Sequence, residues 1–182
     1  MDNTVIWLTG LSGAGKTTLA LKLRDMMALY DKCMFMEIDP TPIILIDGDE
    51  LRKERPTLGF SKTDRESNVF HAVYKAFIHL SYNGGLAIVS LISPYRESRE
   101  NAKKMLKNYA GARFIEVYVN TPLDVCESRD PKGLYKRARE GKLRDLTGID
   151  APYEAPENPD IIITPDMPLA DAVKLLHKAV RE

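Results

Sequence analysis

The stretch Gly10-Leu-Ser-Gly-Ala-Gly-Lys-Thr17 decides the fold, because it matches the pattern G-x-x-x-x-G-K-[ST] of a phosphate-binding loop. Residues 5–9, just before it, form a short apolar run rich in strand-forming residues. After it, leucine and methionine recur at helical spacing over residues 18–27. Backbone N–H groups and a helix N-terminus can hold a phosphate in such a strand–loop–helix unit. We therefore predict a nucleotide-phosphate site and not a glycine-rich turn that fits the pattern by chance.

The composition favours one globular domain with its own core. The chain has 182 residues, of which 44% are hydrophobic. Its 26 basic and 26 acidic residues cancel, so the net charge does not indicate a nucleic-acid-binding protein. Apolar runs are too short to span a bilayer and no signal peptide precedes Val5, so we expect no membrane partner. Cys33 and Cys126 are too few and too far apart for a metal site, and we expect two reduced thiols in a cytoplasmic protein.

Strand and helix patterns alternate along the rest of the chain. Strands are predicted at residues 43–46, 86–92, 113–119 and 160–164. Helices are predicted from the loop to about Tyr30, after an N-cap at Ser61, over 97–109, from Thr121 with Pro122 in the first turn, and over 168–180. Residues 51–60 are expected to be a charged, proline-interrupted segment, and helix 97–109 to present mostly a solvated face. The order predicts an α/β domain over 1–182, with a mostly parallel sheet and helices on both faces.

Polar residues follow two of the predicted strands. Asp47-Gly-Asp49 ends the second strand and Ser93-Pro-Tyr-Arg96 ends the third. Because ligands gather at the carboxyl ends of parallel strands, both segments are predicted to face the phosphate loop. Asp and Gly are also common in turns that serve only local geometry. The basic run Lys136–Arg139 is either solvated surface or part of a lid over the phosphates.

With these pieces in order, the chain resembles the adenylylsulfate kinase (APS kinase) family of P-loop kinases. The resemblance covers nearly the whole chain. Its anchors, besides the phosphate loop, are Asp47-Gly-Asp-Glu-Leu-Arg52, Leu58-Gly-Phe-Ser61 with Asp64, Arg65 and Asn68, Ile92-Ser-Pro-Tyr-Arg96, Asp130-Pro-Lys-Gly-Leu-Tyr135, Thr147-Gly-Ile149 and Pro152-Tyr-Glu-Ala-Pro156. The family transfers the γ-phosphate of ATP, with Mg²⁺, to the ribose 3′-hydroxyl of adenosine 5′-phosphosulfate, giving PAPS for sulfate assimilation. It also implies a possible homodimer.

The resemblance implies a role for each matching residue. Asp49 faces the acceptor hydroxyl as the base, and Lys16 and Ser93 are the other catalytic residues. Ser93 lies where some members are described as carrying a phosphoserine, although in-line transfer needs no covalent intermediate. Thr17 and Asp47 would hold Mg²⁺. The ATP-binding residues are Gly10, Leu11, Ser12, Gly13, Ala14, Gly15, Lys16, Thr17, Thr18 and Arg129.

The acceptor would be held by a second set of residues. Arg52 and Arg65 suit its two anionic groups, since arginine forks match oxyanions. Phe60 would stack on its base, and a lid over about residues 129–155 would carry Lys132. The full set is Asp47, Arg52, Phe60, Arg65, Asn68, Ile92, Ser93, Pro94, Tyr95, Lys132, Gly133, Leu134 and Leu146.

The sequence departs from the family pattern in three places. Family members usually have Asn where Glu50 stands and Phe where Leu146 stands, and that Phe closes the second side of the acceptor base. Residues 33–42 make the approach to Asp47 longer than the family norm. One alternative is therefore a kinase of the ribose hydroxyl of another activated nucleotide, such as cytidine diphosphoramidate. Another, of a different class, is a nucleotide-gated binding protein without kinase activity.

Overall fold

A parallel sheet forms the centre of the protein in the computed structural model, which describes residues 2–34 and 41–182. Within this part of the chain the sheet has five strands in the order β2-β3-β1-β4-β5, all of them parallel. The long segment expected before Asp47 lies mostly outside the described residues. The strands are β1 Thr4–Thr9, β2 Ile43–Asp47, β3 Leu86–Ser90, β4 Arg113–Val119 and β5 Ile161–Ile163. The predicted P-loop fold with a parallel sheet is confirmed.

Strand β1 is central, and its side chains explain the two layers of the core. All six of its residues are buried, because β3 and β4 flank it and helices cover both faces. Ile6 and Leu8 pack with Leu23 and other residues of the first helix on one face. Val5 and Trp7 point to the other face, where the Trp7 ring stacks on Phe114 with centroids 5.6 Å apart. Alternation along one strand thus supplies both halves of the core.

Seven helices are found in the described residues. They are α1 Lys16–Met34, α2 Gly48–Glu54, α3 Lys62–Tyr82, α4 Arg96–Ala110, α5 Leu123–Arg129, α6 Leu134–Arg139 and α7 Leu169–Arg181. None of the helices in these residues combines the length and the apolar character needed to cross a membrane. Ser61 caps α3 as predicted, and with Asp64 it forms a reciprocal capping box.

Four local predictions need correction. The segment after Asp47 forms α2, because the Asp47 carboxylate accepts a hydrogen bond from the Asp49 N–H and Leu51 is buried beneath the helix. Helix α1 continues beyond Tyr30. Pro122 lies at the N-cap of α5 and not inside its first turn. The third strand ends at Ser90 and not at Ile92. Helix α4 is mostly a solvated face, as predicted, although its Arg99 is 3% exposed.

Candidate active site

The phosphate loop connects β1 to α1, and its first glycine is required by close packing. Gly10 has φ +149°, and a Cβ there would lie 2.6 Å from the carbonyl oxygen of Val119. Two other carbonyl oxygens of the loop accept hydrogen bonds from buried residues elsewhere in the chain. The Thr121 hydroxyl donates to Ala14 O at 3.0 Å, and the Tyr135 hydroxyl donates to Ser12 O at 2.9 Å. The loop is therefore fixed from the side that faces the protein interior. This leaves the N-terminus of α1, which has partial positive charge, to face a ligand.

Lys16 provides the cation of this loop and is buried. Its ammonium donates to the carbonyl oxygens of Gly10 at 2.9 Å and Leu11 at 2.7 Å. Burial, together with the nearby positive charge of Lys132, lowers the pKa of Lys16 to about 8. Two positive charges that repel each other at one end of a cleft would be stabilised by a bound polyanion.

Thr17 and Asp47 form an oxygen pair beside the loop. The Thr17 hydroxyl donates to Asp47 Oδ2 at 2.7 Å and lies 3.4 Å from the hydroxyl of Ser90. Asp47 Oδ1 accepts the Asp49 N–H at 2.9 Å, so the carboxylate is oriented from both sides. Mg²⁺ prefers such hard oxygen ligands and is usually bound through one or two carboxylates plus phosphate oxygens. These two side chains fit a magnesium ion that also contacts a nucleotide.

Asp49 lies two residues further on, in the first turn of α2. Its carboxylate forms an ion pair with the ammonium of Lys132, whose backbone belongs to the predicted lid. Both side chains are partly exposed, with 46% of Asp49 and 42% of Lys132 accessible. The pair joins the first turn of α2 to a residue that lies 83 positions after Asp49 in the chain. A carboxylate and an ammonium therefore meet at the mouth of the site.

Phe60 lies between two arginines. The Arg52 guanidinium lies over its ring at 4.5 Å from the centroid and donates to the carbonyl oxygen of Gly59 at 2.9 Å. The Arg65 guanidinium lies 5.9 Å from the same centroid, and its Nε donates to the Phe60 carbonyl oxygen at 2.8 Å. The remaining Arg65 nitrogens donate to the Thr147 hydroxyl and to the carbonyl oxygen of Asp145. Burial lowers the pKa of both arginines, which stay cationic at neutral pH.

Two buried polar residues, Asn68 and Ser93, also line the cleft. Asn68 is 5% exposed, and its Oδ1 has no hydrogen-bond partner among the described residues. A buried acceptor without a donor is costly, so a ligand N–H or O–H would be favourable there. Ser93 is 3% exposed, has φ +38°, and accepts a hydrogen bond from the Trp7 indole N–H at 3.1 Å. Leu146 is 1% exposed and packs with the core on one side while it lines the cleft on the other.

One cleft of about 560 Å³ brings most of the predicted site residues together. It does not reach Gly10, Leu11, Ala14, Tyr95 or Gly133, which lie behind or beside it. Gly133 serves as the N-cap of α6, and the Tyr95 ring faces the Lys62 ammonium, 5.5 Å from its centroid. The predicted residues that line the cleft are Ser12, Gly13, Gly15, Lys16, Thr17, Thr18, Asp47, Asp49, Arg52, Phe60, Arg65, Asn68, Ile92, Ser93, Pro94, Arg129, Lys132, Leu134 and Leu146.

Some lining residues were not predicted. Ser90 is the last residue of β3 and could have been inferred from its position at a strand end. Pro131 lies inside the Asp130–Tyr135 anchor, but the motif gives no sign of its orientation. Nothing in the local pattern distinguishes Val69 from the other apolar residues of α3. The unpredicted lining residues are Gly48, Val69, Ser90, Leu91 and Pro131.

Comparison with known proteins agrees with this geometry. The family model described as adenylylsulphate kinase matches residues 2–164. The adenylyl-sulfate kinase of Clostridium kluyveri is 43% identical, over 91% of this chain and 77% of that protein. That of Gloeothece citriformis is also 43% identical, over 95% of this chain and 92% of its own length. The solved APS kinase of Mycobacterium tuberculosis, in complex with AMPPNP and APS, superposes with a TM-score of 0.85 and 37% identity, over 100% of this chain and 99% of that one. This chain belongs to the adenylylsulphate kinase family.

Proposed function

We propose that this protein is an ATP- and Mg²⁺-dependent adenylylsulfate kinase, which phosphorylates the ribose 3′-hydroxyl of adenosine 5′-phosphosulfate to give PAPS and ADP. One observation carries the proposal. A single cleft joins the phosphate loop and the Thr17–Asp47 oxygen pair to a second set of groups, Asp49, Arg52 and Arg65. A protein that only sensed a nucleotide would have no use for this second anion pocket.

The phosphate end of the cleft binds and orients ATP. Lys16 would release the Gly10 and Leu11 carbonyl oxygens and bind the β- and γ-phosphates instead. Thr17 and Asp47 would hold Mg²⁺, which when bound neutralises negative charge on the β- and γ-phosphate oxygens. Arg129 Nη1 lies 3.3 Å from the carbonyl oxygen of Gly13, close enough to approach ATP from the other side of the loop.

The acceptor end supplies the base and holds the second nucleotide. The 3′-oxygen attacks the γ-phosphorus, the bond from that phosphorus to the β,γ-bridging oxygen breaks, and ADP leaves with the bond's electron pair. The proton of the 3′-hydroxyl moves to the Asp49 carboxylate. Arg52 and Arg65 hold the phosphosulfate and Phe60 faces the base. Transfer of this kind depends on positioning and charge neutralisation, so Ser93 has no need to become covalently attached.

Residues 129–155 would act as a lid on the cleft. The ion pair of Lys132 with Asp49 supports this, as does the contact of Arg129 with Gly13. The second half of the lid is bonded to Arg65 through Asp145 and Thr147. Lid residues therefore contact both ends of the cleft.

Two further proposals follow from the family resemblance. The protein would assemble as a homodimer and would act in the cytoplasm. Light scattering coupled to size exclusion measures the first as a mass near twice 20.5 kDa. Fractionation of the native cells measures the second.

A panel of nucleotide acceptors, assayed with ATP and Mg²⁺ for release of ADP, tests the function. Adenosine 5′-phosphosulfate should give acceptor-dependent ADP and a product phosphorylated at the 3′-position. Turnover with cytidine diphosphoramidate but not with adenylylsulfate would keep the chemistry and change the substrate. Leu146, where the family has an aromatic residue, is the observation that keeps this second candidate in the panel. ATP binding with no acceptor-dependent ADP from any member would instead indicate a nucleotide-gated binding protein.

A further inference from the structure

Arg99 does not line the cleft, but each of its three side-chain nitrogens donates a hydrogen bond, and one of these bonds goes to Ser93, which does line the cleft. The side chain is 3% exposed. Nη1 donates to the carbonyl oxygen of Ser93 at 2.7 Å, Nη2 to that of Glu154 at 2.7 Å, and Nε to Glu116 Oε1 at 2.7 Å. We infer that Arg99 is a positioning residue, which holds the acceptor-facing turn at Ser93 and couples it to the end of the lid.

Ser93 needs to be held, because its backbone is strained. A φ of +38° is uncommon for a residue with a side chain and persists only where the surroundings enforce it. Three donors converge on this turn: Arg99 on the Ser93 carbonyl oxygen, the Trp7 indole on the Ser93 hydroxyl, and Thr9 Oγ1 on the Ile92 carbonyl oxygen at 2.8 Å. Ile92, Ser93 and Pro94 line the cleft, and we call these three residues the acceptor wall. Their placement sets the shape of the cleft where the acceptor would bind.

Residues 152–157, which include the last residues of the lid and which we call the lid-end loop, are hydrogen-bonded to the same turn. The Glu154 N–H donates to the Pro94 carbonyl oxygen at 2.8 Å, and Glu154 Oε2 accepts the Arg96 N–H at 2.8 Å. The Tyr153 hydroxyl lies 3.0 Å from Thr9 Oγ1. Arg99 also donates to the Glu154 carbonyl oxygen. Hydrogen bonds therefore join the acceptor wall and the lid-end loop into one unit.

Arg99 suits this task because its charge is already neutralised. Glu116, on β4, is 7% exposed and pairs with Arg99 Nε, so the fork can bond two neutral carbonyl oxygens without leaving a buried charge alone. A lysine has one ammonium group and cannot replace a planar fork that spans three acceptors. The role is thus specific to arginine and not only to a positive charge.

Two buried arginines then hold the lid. Arg65 holds Asp145 and Thr147, and Arg99 holds Glu154 near the lid's last residue. A displaced lid-end loop would move Ser93 and Pro94, and so would loosen the acceptor without touching the ATP end. This inference rests on the proposed function only for the identity of the acceptor.

Three single variants separate positioning from folding. Arg99→Lys keeps the charge beside Glu116 but loses the fork. Glu116→Gln keeps an oxygen for Nε and the two carbonyl contacts, but it removes the charge that neutralises Arg99, so its melting temperature should fall. Arg113→Lys is the matched control, since Arg113 also donates to two backbone carbonyl oxygens, Ala179 at 2.6 Å and Val180 at 3.0 Å, away from the cleft. Melting temperature, KM for each substrate and kcat are measured for all three.

In Arg99→Lys, KM for adenylylsulfate should rise at least about tenfold, while KM for ATP changes less than about twofold. Glu116→Gln and Arg113→Lys should keep KM for adenylylsulfate within threefold of the wild type. A purely structural role would lower the melting temperature and the active fraction without changing this KM. A folded Arg99→Lys protein with wild-type KM for adenylylsulfate, or with an equal loss for ATP, would overturn the inference.

A second readout needs no turnover. Trp7 is the only tryptophan in the sequence, so its indole N–H gives one resonance that reports the Ser93 hydroxyl it donates to. That resonance should shift in Arg99→Lys and stay in place in the two other variants. An unshifted resonance in folded Arg99→Lys contradicts the inference, even if the protein proves to use another acceptor.

If Arg99→Lys does not fold, a measurement on the wild-type protein still tests the inference. Binding of the acceptor that the panel identifies should slow hydrogen exchange of the Glu154 amide at least fivefold, because wall and loop form one unit. Exchange that is unchanged by the acceptor would refute the coupling. Failure of adenylylsulfate itself to react would count against the proposed function alone.

Discussion

Asp49→Asn tests the proposed role of Asp49 as the catalytic base separately from ATP binding. The substitution preserves side-chain shape and removes the carboxylate. The hydrogen bond from residue 49 to Asp47 Oδ1, 2.9 Å long, comes from the main chain and therefore remains. The lost ion pair with Lys132 joins two partly exposed side chains, so it contributes no more than about 1 kcal/mol to folding. ATP contacts are untouched, since Thr17 pairs with Asp47 and not with Asp49.

The expected effect on the reaction is much larger. A positioned general base contributes about 10²- to 10⁴-fold to the rate, which is about 2.7–5.5 kcal/mol on the activation barrier. We expect kcat for ADP release at saturating ATP and adenylylsulfate to fall at least about 100-fold, with the melting temperature within about 4 °C of the wild type. Glu50→Gln is the matched control, because Glu50 is the next residue on α2, pairs with Lys53 at 2.6 Å and lies outside the cleft. A kcat for Asp49→Asn within threefold of the wild type would remove Asp49 from the mechanism.

Three other predictions concern the cleft and the phosphate loop. Leu146→Phe should lower KM for adenylylsulfate about twofold to tenfold, as an added aromatic contact of roughly 0.5–1.5 kcal/mol implies, with KM for ATP unchanged. Because Leu146 is 1% exposed, overpacking should also cost about 1–3 kcal/mol in a melting experiment. Weaker adenylylsulfate with a favoured cytidine nucleotide would show a pocket shaped for another base. ATP affinity should fall up to about tenfold per pH unit above about pH 8, because free Lys16, with its pKa lowered to about 8 by burial, must take up a proton to bind phosphate. Calorimetry in buffers of different ionisation enthalpy measures that uptake, and affinity that is flat to pH 9.5 would contradict it. Gly10→Ala should lower the melting temperature by about 4–10 °C, since its Cβ would lie 2.6 Å from the Val119 carbonyl oxygen, whereas Gly141→Ala meets nothing within 4 Å and should cost less. Equal losses in the two alanine variants would mean that the backbone angle and not the contact with Val119 sets the cost.

The local features of this protein could be predicted from its sequence. The phosphate loop, the alternating strands and helices, and the Ser61 cap each depend on residues a few positions apart, so short-range patterns contain them. The positions of Asp47 and Ser93 followed from one general rule, that the carboxyl ends of parallel strands meet at one edge. Family resemblance then supplied roles for these residues, and most of them line one cleft.

Only the tertiary structure decided which distant residues meet. Arg65 and Thr147 are 82 positions apart and Arg99 and Glu154 are 55 apart, and no periodicity relates them. A charged residue on a charged helix is expected to face water, yet the Glu116 carboxylate on β4 allows Arg99 to be buried with each of its three nitrogens hydrogen-bonded. Hydrogen-bond partners of buried groups depend on how sheet and helices pack together. That packing is a property of the whole chain, which is why the hydrogen bonds that hold Ser93 and the lid in place could be seen only in three dimensions.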